Sequence, residues 1–352
     1  MRHLASLQTI ASIEPIPNAE SLEAARVLGW IVVVKKGEYR PGDAVVYCEI
    51  DSLLPERPEF EFLRKSSFRP AVDQGDEFRR PAGFRIKTVR LRGQVSQGIC
   101  FPPSILPPGS PTAIGTDVTE VLGIVKYESP PPVGMGGKVR GPFPGFLAKT
   151  DETRVQLLGD VLLAKRGATF GLTEKLDGTS FTAFLRQGRF GVCSRNLELE
   201  PTDEGNLHAS IARRLNLAEK LETVRAAHGF DAALQGEIIG PGIQGNKYAR
   251  KGTELHVFTV TNLTTNKRLD RAAQTALLKE LGLTEVPDLG TLELRHTVDE
   301  LVALAEGDSR LNAKCPREGI VLRPPAEEYD STVGGPLSFK AINPRFLLKF
   351  DD

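Results

Sequence analysis

The sequence predicts an α+β protein of two domains, a small β-barrel followed by a larger domain of mixed strands and helices. Three observations support this prediction. The chain has 352 residues, more than a single domain usually contains. Short apolar and β-branched runs separated by turn residues occupy the first part of the chain. Strand and helix patterns mix only after a Pro- and Gly-rich segment near the middle.

The predicted barrel is built from four short runs that have the composition of strands. They lie at 30–34, 44–50, 84–91 and 98–101, and the turn RPGD precedes the second of them. A helix is predicted at 19–28. This strand density fits an oligonucleotide-binding (OB) barrel, whose exposed face and loops can follow a phosphate backbone. An SH3-like barrel fits the same periodicity.

The middle of the chain is predicted to be a linker. Three consecutive prolines and then the run GMGG, ending at residue 137, interrupt regular structure. We therefore expect a first domain at 1–125, a linker at 126–148 and a second domain at 149–352.

The second domain is predicted to contain both helices and strands. Helical patterns cover 207–227 and 271–281. A third helix is expected to begin at Thr297, because Thr297 and Glu300 have the spacing of a capping box.

Charge is balanced overall but is distributed unevenly. The chain has 45 basic and 45 acidic residues, yet residues 64–92 contain nine basic and three acidic ones. Such segregation can give a neutral protein a positive face for nucleic acid. We take Arg85 and Arg90 as candidate contacts to a duplex; a solvated loop of scattered charge is the alternative.

Cysteine usage and hydropathy indicate the compartment. The four cysteines are scattered and form no CxxC pair, which is typical of thiols in a reducing cytoplasm. The N-terminus lacks the apolar run of a signal peptide, and no segment approaches the roughly 20 apolar residues of a membrane span. We expect a cytoplasmic monomer that does not bind membranes.

The sharpest local motif is EKLDG at residues 174–178. It places the amine of Lys175 at the end of a strand, and the turn that follows directs it toward a cleft. A lysine has an ordinary pKa of about 10.4, so nucleophilic attack requires surroundings that favour the neutral amine. Taken alone, Asp-Gly is also a common hairpin turn.

Five further segments follow this motif in a fixed order: SRN at 194–196, GEIIGPGIQ at 236–244, VFTV at 257–260, REGIVLR at 317–323 and SFKAIN at 338–343. Together the six segments resemble the nucleotidyltransferase motifs that polynucleotide ligases share with mRNA capping enzymes. The resemblance covers residues 154–345 and is closest to the RNA ligases with an N-terminal OB domain. The N-terminal similarity, at KKGE and RPGD, is looser.

The resemblance implies a reaction and three catalytic residues. Lys175 would attack the α-phosphate of ATP and form a lysyl-AMP, the AMP would pass to a 5′-phosphate, and a 3′-hydroxyl would displace it. Lys340 would stabilise charge at the α-phosphate. Glu318 would hold a divalent metal, Mg²⁺ or Mn²⁺, since hard cations prefer carboxylate oxygens.

The same resemblance implies further nucleotide contacts. Glu237 and Arg195 would bind the ribose and the sugar-phosphate, Phe258 would stack on adenine, and Glu174 would belong to the same site. Arg154 lies in KTDETR, which resembles a segment that precedes the nucleophile in these ligases, and would bind a phosphate. Considered singly, each of these could be an ordinary core or surface residue; their order favours a functional role.

The chain departs from the family pattern at three positions. Many members have a second lysine where this chain has Ile342, and Arg345 or Lys349 could replace it. The ribose-contacting Arg or Asn is Ser180, and the aspartate after the stacking aromatic is Thr259. These departures concern the contacts to phosphate and ribose.

Three other functions remain open from sequence. A GTP-using capping enzyme usually has its OB domain after the catalytic core, and a DNA ligase normally has a C-terminal OB domain. A non-catalytic nucleic-acid-binding module would be favoured by loss of Lys175 or Glu318, which are both present. The resemblance implies that the substrate is a nicked duplex with RNA on the 3′-hydroxyl side, where recognition depends on the 2′-hydroxyl.

Overall fold

The computed structural model describes residues 3–75, 78–130 and 137–350. The chain divides into two compact units, Met1–Pro131 with Leu347–Asp352, and Pro132–Phe346. In the described ranges, no helix is both long enough and apolar enough to cross a membrane.

The first unit consists mainly of short strands. They are β1 to β13, at Ala5–Pro15, Leu22–Val27, Trp30–Lys35, Ala44–Cys48, Ser52–Leu54, Phe68–Arg69, Val72–Asp73, Arg79–Arg80, Gly83–Arg85, Thr88–Leu91, Gln94–Gln97, Ile99–Phe101 and Val125–Lys126. One short helix, α1, lies at Arg64–Ser67, and 3-10 turns occupy Pro58–Leu63 and Pro103–Ile105.

The main sheet of this unit has the order β12-β4-β1-β2-β3. The long strand β1 pairs with β4 through its first half and with β2 through its second half, with a register shift between Ile10 and Ser12. Such an irregularity bends a strand, as closure of a small barrel requires. Val46, Phe60 and Phe84 are buried in the core that this bending encloses.

Two sequence predictions for this unit were wrong in detail. The predicted helix at 19–28 is instead strand β2, which pairs with β1 on one side and β3 on the other. The segment is rich in helix-forming Ala, Leu and Glu, but two hydrogen-bonded ladders outweigh that propensity. The run 84–91 is two strands in different sheets, since β9 pairs with β5 and β10 pairs with β11.

The second unit contains two larger sheets and five complete helices among its described residues, and a sixth helix, α7, begins in it and continues into Leu347–Asp352. Its strands β14 to β27 are Val139–Pro142, Thr153–Arg154, Thr169–Lys175, Thr179–Arg186, Arg189–Cys193, Leu197–Leu199, Ala232–Ile239, Glu254–Asn262, Lys267–Arg268, Asp288–Glu293, Gly319–Arg323, Tyr329–Asp330, Gly335–Pro336 and Phe339–Ile342. The helices α2 to α7 are Gly159–Ala164, Leu207–Arg214, Leu217–His228, Arg271–Glu280, Val298–Ala305 and Pro344–Phe350, with 3-10 turns at Val155–Leu157 and Gln244–Asn246.

The two large sheets carry separate cores. The seven-stranded sheet has the order β14-β19-β18-β17-β20-β21-β22, and residues of α3, α4 and α5 pack with it. The five-stranded sheet has the order β15-β27-β24-β16-β23, and residues of α2 and α6 pack with it. Both sheets therefore have one face covered by helices, and the α+β prediction is confirmed.

Helix boundaries follow local chemistry. The predicted capping box is present at α6: the backbone N–H of Thr297 donates to Glu300 Oε2 at 2.7 Å, and that of Glu300 donates to Thr297 Oγ1 at 3.3 Å. The predicted helix at 207–227 is two helices, because Asn216 between them adopts a left-handed conformation with φ of 50°. Asparagine is one of the few residues that tolerates this region.

The end of the predicted linker belongs to the second unit. Residues 131–136 lie outside the described ranges. From Val139 to Pro142 the chain forms β14, which pairs with β19, and Phe143, Phe146 and Leu147 pack with Phe184. The prediction of a linker through residue 148 was therefore too long, because apolar residues after the glycine run bury themselves against the sheet.

Candidate active site

Lys175 is the last residue of β16, a strand that lies between β24 and β23 in the five-stranded sheet. The turn after it leads directly into β17 of the seven-stranded sheet. Gly178 allows this passage, since a Cβ there would lie 2.2 Å from the carbonyl oxygen of Ile238. The glycine of the motif is therefore required by the close approach of β20.

The amine of Lys175 is paired with a carboxylate. Its Nζ donates to both oxygens of Glu318, at 2.7 and 2.8 Å, and the two side chains are 26% and 13% exposed. Glu318 immediately precedes β24, and Gly319 pairs with Lys175 across the ladder. A pairing 143 residues apart in sequence thus joins the two residues that the motifs predicted as nucleophile and metal ligand.

Two more carboxylates lie near this pair. Burial favours the neutral amine, but the charges of Glu318, Glu237 and Asp177 outweigh burial and raise the pKa of Lys175. We expected surroundings that favour a neutral lysine; for the protein without nucleotide or metal, that expectation was wrong. Burial raises the pKa of Glu237 to about 8, and its Oε1 accepts a hydrogen bond from the backbone N–H of Gly178 at 3.0 Å.

The loop after β20 holds the turn that follows Lys175. The backbone N–H of Asp177 donates to the hydroxyl of Tyr248 at 2.7 Å, and Lys247 forms an ion pair with the Asp177 carboxylate. The loop contains Gln244, Asn246 and Ala249 at φ of 44°, 48° and 52°. Such left-handed conformations cost energy in non-glycine residues and concentrate at functional sites.

A second charged cluster centres on Asp151. Its Oδ1 accepts from Lys340 Nζ at 2.8 Å and its Oδ2 accepts from Arg195 Nη2 at 3.1 Å. The Lys340 side chain is 11% exposed. Burial, with help from the charges of Arg154 and Lys175, lowers the pKa of Lys340 to about 8. The structure therefore brings together the predicted phosphate-binding residues, with Arg154 paired beside Lys340 across parallel strands.

Phe258 lies on β21, in the sheet opposite Lys175. It packs against a buried group formed by Leu176, Ile239, Tyr248 and Val286. A cavity of about 70 Å³ is lined by Phe258, Thr173, Thr259 and Arg323, and by further residues that include Arg268, Gln274 and Glu285. Phe258 thus lies at the wall of a cavity whose lining does not include Lys175 or Lys340, and its stacking on adenine stays a prediction.

Glu174 differs from the other predicted nucleotide contacts. Neighbouring residues of a strand point to opposite faces, so its side chain does not share the face of Lys175. It is 1% exposed, its Oε2 accepts from the backbone N–H of Arg310 at 2.8 Å, and burial raises its pKa. The structure thus places Glu174 on the face of β16 opposite Lys175, where it holds the backbone at Arg310.

The departures from the family pattern also have definite positions. Ile342 is 3% exposed and pairs with Gly319 in the sheet, so the place of a second lysine is occupied by a core residue. Ser180 pairs with Glu237 across β17 and β20. The backbone N–H of Arg345 donates to Asn343 Oδ1 at the start of α7.

The two arginines predicted to contact a duplex lie in different surroundings. Arg85 is 6% exposed, and its guanidinium lies 4.1 Å from the centre of the Tyr127 ring. It is therefore not part of an exposed basic face; sequence composition could not show which way the side chain points. Arg90 is exposed on β10, and its Nη1 donates to the carbonyl of Gly93 at 2.8 Å.

Sequence reasoning missed several residues of the cleft. Asp177 lay inside the quoted motif but had no assigned role, and Asp151 lay inside the quoted KTDETR segment. Lys247 follows the GEIIGPGIQ segment by three residues. Only the fold could show that these side chains contact predicted site residues.

A lysine amine, several carboxylates and further cations in one cleft between two sheets are the groups that phosphoryl transfer needs. The fold and the site therefore define an enzyme of nucleotidyl transfer.

Comparison with known proteins identifies the family. An RNA ligase family model matches residues 168–342, and a model of an OB-fold domain matches residues 4–103. The structure of Naegleria gruberi RNA ligase with PPi is 38% identical, with a TM-score of 0.88 and complete coverage of both chains. A mutant of that ligase with ATP and Mn is 38% identical, with a TM-score of 0.87 over all of both chains. Another, with AMP and Mn, is 37% identical, with a TM-score of 0.88 over 99% of each chain.

The chain belongs to the RNA ligase family, and it is a member with an N-terminal OB-fold domain. No curated protein sequence matches it. The OB barrel is therefore confirmed over the SH3-like alternative.

Proposed function

We propose that this protein is an ATP-dependent RNA ligase that seals 3′-hydroxyl/5′-phosphate nicks through a lysyl-AMP on Lys175. The preferred substrate is a duplex with RNA on the 3′-hydroxyl side of the nick. The observation that carries the proposal is the bidentate pairing of Lys175 with Glu318, at 2.7 and 2.8 Å, in the cleft that also holds Lys340. The Naegleria relative with ATP and Mn supports ATP as the nucleotide and a divalent metal as the cofactor.

In the first step, Nζ of Lys175 attacks the α-phosphorus of ATP. A nitrogen–phosphorus bond forms, the bond to the pyrophosphate oxygen breaks, and pyrophosphate leaves. The ammonium must first release its proton to solvent water, so its ion pair with Glu318 has to open before attack. Lys340, on β27 with β24 between it and the strand of Lys175, supplies positive charge to the phosphate oxygens as their negative charge develops.

In the next two steps the nucleotide is transferred and released. An oxygen of the 5′-phosphate attacks the phosphorus of the lysyl-AMP, and Lys175 leaves as the amine. The 3′-hydroxyl then attacks the 5′-phosphate, a phosphodiester forms, and AMP departs. Phe258 and Glu237 hold the adenosine throughout, because their positions are fixed by the packing and hydrogen bonds of β21 and β20.

The donor set fits a divalent metal that keeps part of its water shell. Within the described ranges, no three His, Cys, Asp or Glu side chains are grouped closely enough to hold a metal by themselves. Mg²⁺ is usually bound through one or two carboxylates together with phosphates and water. Glu318 would hold it, with Asp177 nearby. When bound, the metal supplies positive charge that offsets the carboxylates around Lys175 and the phosphates of ATP.

Contacts to nucleic acid are proposed for the hairpin of β10 and β11. Arg90, Leu91 and Arg92 at its tip are exposed, and Lys87 lies just before it. Exposed arginines bind phosphates without reading sequence. The cytoplasmic location and monomeric state expected from sequence stay predictions.

The test is a labelling experiment with α-³²P-labelled ATP or GTP and Mg²⁺ or Mn²⁺, on protein first treated with pyrophosphate to remove bound AMP. We expect a labelled protein from ATP only, and none with Lys175→Ala. Lys251→Ala, an exposed lysine in the same unit, is the matched control and should label normally. Labelling from GTP would indicate capping chemistry, and no label from either nucleotide would rule out the covalent mechanism.

Substrate preference is tested with nicked duplexes that differ only in the sugars at the 3′-hydroxyl side of the nick. Faster sealing with ribose there supports the proposed RNA preference. Equal or faster sealing with deoxyribose would favour the DNA ligase alternative.

A further inference from the structure

One arginine crosses from one wall of the cleft to the other. Arg323 lies on β24 of the five-stranded sheet, two residues after Val321. Its Nη1 donates to the carbonyl oxygen of Phe258 at 2.6 Å and to Thr259 Oγ1 at 2.8 Å, both on β21 of the seven-stranded sheet. The guanidinium therefore fixes the position of the strand that carries the aromatic ring relative to β24.

The same guanidinium is held by a buried carboxylate. Its Nη2 donates to Glu152 Oε1 at 2.6 Å, and its Nε donates to Ser338 Oγ at 3.0 Å. The Glu152 side chain is 11% exposed and that of Arg323 is 23% exposed. Because the geometry of the guanidinium is rigid, these bonds leave Arg323 little freedom to rotate.

Glu152 also connects this network to the phosphate end of the cleft. Its neighbour in sequence, Asp151, accepts hydrogen bonds from both Lys340 and Arg195. A shift of Glu152 would therefore move Asp151 and the two cations that it holds. One ion pair joins the residues on the base side of the cleft to those on the phosphate side.

We propose that Glu152 and Arg323 form a positioning pair that sets the ATP-binding geometry of the cleft. The pair rests on the function proposed above, since its effect is on the residues assigned to adenine and phosphate. Neither side chain is assigned a contact with ATP. Arg323 acts through Phe258, and Glu152 acts by neutralising Arg323 and by fixing Asp151.

The role of Glu152 depends on its charge. Arg323 bonds to Thr259, which stands at the position where many family members have an aspartate. In this chain Glu152 is the carboxylate that pairs with the guanidinium. An aspartate introduced at 259 would lie beside Nη1, the nitrogen that now donates to Thr259, whereas Glu152 accepts from Nη2 of the same guanidinium. It should therefore restore the lost negative charge from the opposite sheet.

The experiment measures protein labelling by ATP over a range of ATP concentrations in four proteins: wild type, Glu152→Gln, Glu152→Gln with Thr259→Asp, and Glu293→Gln. The last is the matched control, since Glu293 pairs with Arg295 at an exposed site of the same unit. We expect Glu152→Gln to raise the KM for ATP about tenfold. Adding Thr259→Asp should lower it again, and Glu293→Gln should match wild type.

The outcomes separate this inference from the proposed function. If wild type itself takes no label, the proposed function fails. If wild type labels and folded Glu152→Gln has the same KM, the positioning role is wrong; a raised KM that Thr259→Asp does not lower contradicts the role of charge. Melting temperatures establish folding. Should Glu152→Gln not fold, Thr259→Val, which removes one acceptor and keeps the ion pair, must raise the KM, and an unchanged value overturns the proposal.

Discussion

At the scale of single residues, the pairing of Lys175 with Glu318 places the predicted nucleophile and the predicted metal ligand in direct contact. The motifs predicted both residues because their order along the chain was specific. Their ion pair was not predictable, since it depends on how β16 and β24 align. That alignment places Glu318 beside the amine, and Glu237 of β20 and Asp177 of the following turn add their charges, so the pKa of Lys175 is raised despite its burial.

Lys247 is expected to support catalysis through Asp177. The Lys247 side chain is 12% exposed and forms an ion pair with the Asp177 carboxylate, two residues after Lys175. Lys247→Met should lower the rate of protein labelling by ATP about tenfold, because the turn that carries Lys175 loses one of its contacts. The measurement is single-turnover labelling at saturating ATP.

Lys251→Met is the control for this change, since Lys251 is exposed near the same loop. Lys247→Arg, which keeps the charge, should lose less activity than Lys247→Met. Equal rates for Lys247→Met and wild type would show that the ion pair has no catalytic effect.

Glu152 should make stability depend on pH in the acid range. Burial opposes its charge, but Arg323 beside it holds the pKa of Glu152 at about 2, against an ordinary value of 4.5. The stabilisation is therefore present above about pH 4.5 and is lost as the pH falls toward 2. It corresponds to about 3 kcal/mol of unfolding free energy.

Urea unfolding of wild type and Glu152→Gln at several pH values tests the predicted contribution of Glu152 to stability. The difference between the two free energies of unfolding should be largest near pH 7 and should shrink as the pH falls below about 4.5. Glu293→Gln should show a much smaller difference, because its ion pair is exposed. A difference that grows in acid would contradict the assigned pKa.

At the scale of elements, sequence reasoning succeeded where local chemistry decides and failed where pairing decides. The capping box fixed the start of α6 correctly. Strand β2 was predicted as a helix because its composition favours one, and only its ladders with β1 and β3 make it a strand. Arg85 was predicted at the surface, but its position on β9 directs it onto Tyr127.

The β10–β11 hairpin is expected to bind the duplex. Replacing Arg90 and Arg92 together with glutamate should weaken binding to a nicked duplex and reduce its dependence on salt concentration, because fewer counterions are released. The measurement is the dissociation constant at several salt concentrations. The double charge reversal of Lys251 and Lys267, exposed on the second unit, is the control. Unchanged affinity of the hairpin variant would exclude the hairpin as a contact.

At the scale of the whole molecule, the order of the two units and their fold classes were predictable from the position of the glycine- and proline-rich segment and from the change of pattern across it. The end of that segment was not predictable. Phe143, Phe146 and Leu147 become part of the second unit only because Phe184 offers them a surface on which to pack.

Nucleotide binding should stabilise the fold as a whole. Lys175→Ala lacks the proposed nucleophile, so ATP with Mn²⁺ should act on it as a simple ligand. At 100 times the dissociation constant, stabilisation should be about 2.7 kcal/mol. The measurement is the melting temperature across an ATP series, with GTP as the comparison. A shift with GTP equal to that with ATP would show that the base is not recognised.

The ion pairs of the cleft have a consequence for how binding responds to the solution. Lys175 and Lys340 each hold a carboxylate of the chain itself, Glu318 and Asp151. When the phosphates of ATP bind, each ammonium group exchanges a carboxylate partner for a phosphate partner. It is already paired with an anion before ATP binds. Only the difference in free energy between the ion pairs with phosphate and the ion pairs with carboxylate then contributes to the affinity for ATP. Ionic strength weakens both sets, so we expect ATP binding to tolerate salt far better than binding of nucleic acid by the exposed arginines.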